Sequence, residues 1–277
     1  MRRSLLSLGA GLALLAACAK QEAPKQSEAP APPAAPKVET RELTYQQGST
    51  VLKGFVAWDA NAAGKRPGVL VVHEWWGHNE HARNQARRLA EAGYVGFALD
   101  MYGDGKVTQH PDSAQKFVAE AMKDMAVLKA RFELALAQLK ADPHVDPTKI
   151  GAIGYCFGGA VVLSMARSGE DLAAVGSFHG AIPPSAKIDS GTIKARVLIQ
   201  TGGADPMVPA ADVERFKTEL AKAGAKVEVV TYPTAKHSFT NPNADKTGMP
   251  GLAYDPAVDQ QSWAALLKLL GEVFPRA

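Results

Sequence analysis

The sequence predicts an α/β domain: a mostly parallel central sheet with helices on both faces. Three observations point there. Runs such as Gly68–His73 are short, β-branched and continuously apolar, as strands buried on both faces should be. These runs alternate with stretches of helical periodicity, the order that parallel β-α-β units produce. No internal repeat or composition break interrupts the pattern after residue 45, so a single domain over 41–277 is the simplest organisation.

Each element follows from local signals. Val51–Trp58 reads as an early, half-buried strand and Gly68–His73 as the first fully buried one. Asn79–Ala92 has helical spacing, with Ala86, Leu89 and Ala90 on one side and Gly93 as a stop signal. Tyr94–Leu99 is the next strand, followed by the turn-rich MYGDGK. Asp112–Leu139 holds a long helical pattern with room for two helices. Lys149–Tyr155 is a strand that runs directly into Gly158-Gly159 and the helix-like Ala160–Ala166. Ala173–Phe178, Arg196–Gln200 and Lys226–Tyr232 supply further strands. Val213–Ala223 is a helix between the last two, and Asp259–Phe274 closes the chain as another.

Composition narrows the function classes. With 46% hydrophobic and 21% charged residues the chain is ordinary globular protein with material for a core. A net charge of +3 and scattered basic residues give no stripe for nucleic acid. The N-terminus reads differently: Arg2 and Arg3 precede the apolar run Leu5–Ala17, the layout of a signal peptide over residues 1–17. That run is short for a membrane span, which takes about 20 apolar residues. Its end, Leu15-Ala16-Ala17-Cys18, resembles the bacterial lipobox, which implies lipidation at Cys18. Residues 18–40 are rich in Pro and Ala and read as a disordered tether. The expected location is the cell envelope, lipid-anchored and facing the periplasm or exterior.

Of the two cysteines, lipidation would consume Cys18, leaving Cys156 alone in an oxidising compartment and without a disulfide partner. A lone thiol there either packs or reacts. Gly154-Tyr155-Cys156-Phe157-Gly158 fits the nucleophile-elbow pattern, with cysteine in the place usually held by serine. A strand that turns sharply into a helix strains the nucleophile's backbone and needs small neighbours. The helix N-terminus then favours thiolate and a developing oxyanion. A nucleophile needs a base, and the base an orienting acid. Asp205 and His237 follow Cys156 in the order nucleophile, acid, histidine, each just beyond a strand, where such sheets place their sites.

The remaining histidines divide by context. His73, at a strand end, lines the pocket or makes a structural hydrogen bond, and His179 at another strand end is a candidate pocket residue. His78, His81, His110 and His144 sit in polar surroundings and read as surface residues. None pairs at metal-ligand spacing, so no metal and no cofactor is expected.

HEWWG (His73–Gly77), GYCFGG (Gly154–Gly159), GGADPMVP (Gly202–Pro209) and HSF (His237–Phe239) together resemble the dienelactone hydrolase family of the α/β-hydrolase fold, over roughly residues 45–275. The resemblance implies Cys156 as nucleophile, Asp205 as triad acid and His237 as base. It also implies that Glu74 pairs with the resting thiol, and that the backbone N–H groups of Phe157 and Trp75 hold the oxyanion. The reaction implied is acyl transfer through an acyl-enzyme, without cofactor. Family members that act on dienelactone grip its carboxylate with two arginines. Here no arginine lies between Arg88 and Arg131, and the second position is Asn241. Lys106, Lys116 or Lys123 would have to supply the charge, and a lysine lacks the bidentate fork. Trp75 and Trp76 suggest an apolar wall, with Trp76, His179, Tyr155 and Asn241 as candidate pocket residues.

The expected function is therefore a cysteine-dependent hydrolase of small esters or lactones, with the oligomeric state open and a monomer favoured, meeting the membrane only through its lipid. A thioesterase or other carboxylesterase on the same fold is the alternative. A non-catalytic, ligand-binding envelope lipoprotein would predict a broken triad, whereas the candidates are present in order.

Overall fold

The computed structural model describes residues 35–275. The signal peptide, Cys18 and residues 18–34 of the tether lie outside the described residues. One sheet of eight strands organises the domain, in the order β1-β2-β4-β3-β5-β6-β7-β8. Strands β1 (Val38–Gln47) and β2 (Thr50–Asp59) form an antiparallel hairpin, and β2 pairs antiparallel with β4 (Val95–Leu99). From β4 onward every pairing is parallel, through β3 (Arg66–Val72), β5 (Val145–Tyr155), β6 (Ala174–Phe178), β7 (Arg196–Gly202) and β8 (Val227–Tyr232). The mostly parallel α/β-hydrolase sheet that the sequence predicts is the sheet observed.

The buried strands explain the continuous apolar runs. Leu70 and Val72 of β3 face one core, which also takes Phe132 of α3 (Met125–Ala141), Val161 of α4 (Phe157–Arg167) and Phe216 of α5 (Ala210–Lys222). Val69 and Val71 face the other, with Leu89 of α1 (Glu80–Glu91) and Leu266 of α6 (Pro256–Val273). Each Leu or Val so buried contributes about 1.5–3 kcal/mol relative to exposure. A strand with apolar side chains on both sides cannot sit at a surface, and helices must cover both faces.

One sequence-based element resolves as two helices and one strand is added, each for a local reason. The long pattern at 112–139 is split into α2 (Pro111–Met122) and α3, because Asp124 adopts an extended backbone and caps the amides of Ala126 and Val127. Strand β1 has no counterpart in the predicted series, and its first three residues fall in the stretch 18–40 read as tether. It is a largely exposed edge strand in which only Tyr45 is buried, so it lacks the apolar run that marks its neighbours.

Candidate active site

The C-terminal ends of the parallel strands gather the candidate residues. At the end of β5 the chain turns into α4 through Cys156, whose φ of 53° and ψ of −114° lie outside the ordinary regions for a side-chain-bearing residue. The turn exists because its neighbours are small. A Cβ on Gly154 would lie 2.0 Å from the carbonyl oxygen of Gly158, and one on Gly158 would lie 2.3 Å from that of Val72. The strained backbone is fixed by bonds to the flanking strands: Cys156 N–H donates to the Phe178 carbonyl at 3.0 Å and Gly158 N–H to the His73 carbonyl at 3.1 Å. The thiol is free and half-buried rather than sealed in the core.

Asp205, on the loop after β7, and His237, on the loop after β8, meet beside this turn. His237 Nδ1 donates to Asp205 Oδ2 at 2.8 Å, while Asp205 Oδ1 accepts the Met207 amide at 2.7 Å. Both side chains are almost fully buried. The Nδ1 bond leaves Nε2 as the free nitrogen; it is buried and has no hydrogen-bond partner among the described residues. Burial alone would lower the imidazole's pKa. The charge on the Cys156 sulfur and the bond to Asp205 outweigh that and raise it to about 10. Cys156 acts on the ring both through its charge and through direct side-chain contact, although that contact does not reach normal hydrogen-bond geometry. The N–H groups of Phe157, first in α4, and Trp75, in the loop after β3, carry no hydrogen bond among the described residues.

A family model described as the dienelactone hydrolase family matches residues 52–274. The chain belongs to the dienelactone hydrolase family. With that family it is a carboxylic-ester hydrolase of the α/β-hydrolase fold. Among solved structures it resembles a protein named m3DLH, at 39% identity and a TM-score of 0.82, covering 86% of this chain and 99% of the other. It also resembles a dienelactone hydrolase-like promiscuous phosphotriesterase from metagenomic libraries, at 38% identity and a TM-score of 0.81, over 85% and 98% of the two chains. A Methylorubrum extorquens protein named "Putative carboxymethylenebutenolidase" is 30% identical, over 81% of this chain and 77% of its own.

Against the dienelactone hydrolase pattern, Glu74 is the clearest correction. It was expected to pair with the resting thiol. Instead its carboxylate is buried and turned to the His237 loop, accepting the Ser238 hydroxyl on Oε1 at 2.7 Å and the Asn241 amide on Oε2. With Asn241 in the place of a family arginine, an uncharged donor holds Glu74. Asn241 is engaged at both ends: its Nδ2 donates to Glu74 and its Oδ1 accepts the Asn243 amide at 2.9 Å.

Other expectations divide. Tyr155 is not a pocket residue: it is buried in the core, stacked on Phe178 at 4.7 Å, with its hydroxyl bonded to Gln85 at 3.1 Å. His179 is wholly buried and packs edge-on against His237 at 5.2 Å, with Nε2 bonded to Thr240 at 2.9 Å. Burial first, then the neighbouring His237, keeps its pKa well below 6.5. His73 takes the structural alternative: Nδ1 donates to the Glu74 carbonyl at 2.6 Å, and Nε2 accepts the Met101 amide at 3.2 Å. His78 and His81 are buried, contrary to the surface reading, because the chain leading into α1 packs against β4 and Tyr155 of β5. His78 is bonded to the Ala98 carbonyl at 3.0 Å, and His81 packs edge-on against Tyr155 at 5.2 Å. Polar neighbours in sequence did not report that inward turn.

Tyr102 is the residue that sequence reasoning missed. Its hydroxyl donates to the Trp75 carbonyl at 3.1 Å, and its ring packs on Phe157 and His73 at 5.3 and 4.7 Å. Burial and then the charge of Cys156 raise its pKa, so it stays a neutral donor beside that sulfur. Asp100 holds this loop by accepting the backbone amides of Tyr102, Gly103 and Gly105 at 2.8–2.9 Å. The signal was available as Asp-x-Tyr-Gly-Asp-Gly after a strand, a turn whose glycines and aspartates demand side-chain capping.

A cavity of about 510 Å³ opens next to the site, between the loop from Trp76 to His81, the segment at Thr108 and Gln109, and the loop from Asn241 to Thr247. Trp76 and Asn241 line it as expected. Trp76 is 4.8 Å from Trp75 and Asn241 is bonded to Glu74, so the cavity lies against the loop after β3 and Cys156 is not among its lining residues.

Proposed function

We propose that Cys156 is the nucleophile of a Cys-Asp-His triad that hydrolyses small carboxylic esters or lactones through an acyl-enzyme. The thiolate attacks the carbonyl carbon, and the new oxyanion accepts the N–H groups of Phe157 and Trp75. Removing one such donor typically costs about 3 kcal/mol of transition-state stabilisation. Collapse breaks the bond to the alcohol oxygen, which leaves with the proton from His237 Nε2. Water then gives a proton to the same nitrogen, adds to the thioester, and the thiolate departs. Asp205 holds the Nδ1–H tautomer and balances the imidazolium. Tyr102 anchors the loop that carries the Trp75 donor.

The observation that carries this reading is the placement of His237: Nδ1 is committed to Asp205, Nε2 has no bond of normal geometry, and Cys156 and Asp205 together raise the imidazole to about 10 against its burial. Release of p-nitrophenol from a short-chain ester tests it. Turnover should fall at least a thousandfold in Cys156→Ala and in His237→Ala, the order expected for a nucleophile and its base. Unchanged turnover in either would reject the assignment. We also propose anchoring through Cys18 in the cell envelope. Cys18→Ser should then release the protein from membranes, and unchanged fractionation would count against the anchor.

A further inference from the structure

The cavity against the loop after β3 has a chemistry of its own. Its wall offers one indole, Trp76, and is otherwise amide, hydroxyl and imidazole, with a single acid, Glu80, and a single amine, Lys246, among the described residues. Several groups keep bonding capacity unspent. Among the described residues Gln109 makes no side-chain bond. Asn79 spends its oxygen on capping α1 and keeps its Nδ2 free. Thr108 accepts the His110 amide and still has its O–H to give, and Lys246 makes one bond, to Asn243 at 2.8 Å. Glu80 uses one oxygen on Arg87 and keeps the other. Donors and acceptors are therefore both on offer, around a net charge near zero.

A carboxylate ligand accepts only, and here it would face Glu80 with one lysine to balance it and no guanidinium fork. Lys106, a candidate charge source from the sequence, is drawn to Asp104 at 3.9 Å, and neither it nor Lys116 or Lys123 lines the cavity. A hydroxyl donates and accepts at once, which matches a mixed wall, whereas the one indole, Trp76, is buried and offers little apolar face to a ligand. We propose that this cavity binds the neutral, polyhydroxylated alcohol portion of the ester, a sugar or polyol, so that the enzyme removes acyl groups from hydroxylated carriers. This rests on the Cys156 acyl-transfer reading and names its substrate class.

The test compares acetate esters that form one acetyl-enzyme and differ only in the alcohol: a mono-O-acetyl methyl glucoside, ethyl acetate and acetoxyacetate. Each kcat/KM is normalised to the ester's alkaline hydrolysis rate, so that leaving-group reactivity cancels. The glucoside ester should exceed ethyl acetate at least tenfold, with acetoxyacetate below both. In a Gln109→Ala/Lys246→Ala variant the glucoside-to-ethyl ratio should fall to within twofold of one, mainly through KM. Equal normalised values in the wild type, a preference for acetoxyacetate, or an unchanged ratio in the variant would overturn the proposal. Ethyl acetate turnover that survives Cys156→Ala would instead reject the triad reading, so the two failures are separable.

Discussion

The turn that carries Cys156 and the loop that carries His237 reach the same end by different means. Both hold a side-chain-bearing residue at positive φ, Cys156 at 53° and Ser238 at 58°. At the first, the permission is local: glycines two residues either side let the backbone pass where a Cβ would collide, and bonds to Phe178 and His73 then hold it. At the second, the cause is distant. His237 N–H donates to Gly251, Ala253 N–H returns to the His237 carbonyl, and Ser238 is tied to Glu74, 164 residues earlier. Strain written by neighbours is visible in a short motif. Strain imposed by tertiary bonds is not.

The largest expected effect sharpens that contrast at the turn. Gly154→Ala would set a Cβ 2.0 Å from the Gly158 carbonyl oxygen, backbone against backbone. Urea unfolding should report a loss on the order of 4 kcal/mol, in the range of severe core disruption, with ester turnover lost as well. Near wild-type stability would break the claim that the turn requires glycine at that position.

The loop should respond less, and in two parts. Ser238→Ala removes the bond to Glu74 and keeps a Cβ at positive φ, an expected loss of about 2 kcal/mol. Ser238→Gly removes the same bond but relaxes the backbone, so it should recover about 1 kcal/mol of that loss. Identical unfolding midpoints for the two variants would mean that the positive φ carries no strain.

The smallest effect is a pH dependence in which the loop side leans on a buried imidazole. Unfolded histidines bind a proton near 6.5. Burial holds His73, His78, His81 and His179 below that in the folded chain, His78 at about 4. Between 6.5 and those lower values the unfolded chain binds more protons, so stability falls as pH falls through that window. His237 has the opposite sign: its contribution is complete below 6.5 and is lost as pH rises through about 10. His179→Phe should reduce the stability lost between pH 7 and pH 5.5 by about 1 kcal/mol. An unchanged pH slope would remove His179 from the account.

Legibility followed the same division. Strands β2 to β8, the elbow and the order Cys156, Asp205, His237 were readable because apolar runs, glycine spacing and strand ends are local signals. The exposed edge strand β1 was not, since it buries only Tyr45. The inward turn of His78 and His81, the Glu74–Ser238–Asn241 clamp and the placement of Tyr102 were also hidden, because each depends on what packs opposite it. Asn241 shows the limit most clearly. Its identity announced a missing arginine, but only the fold reveals that it holds Glu74.

The central claim, covalent catalysis by the sulfur at the turn, is most directly tested by quenching the enzyme in acid during turnover of p-nitrophenyl acetate and weighing its peptides. The account predicts an added acetyl group, 42 Da by its composition and hence about 42 Da heavier, on the peptide containing Cys156. Rapid turnover with that peptide unmodified, or with the acetyl group on another residue, would contradict it.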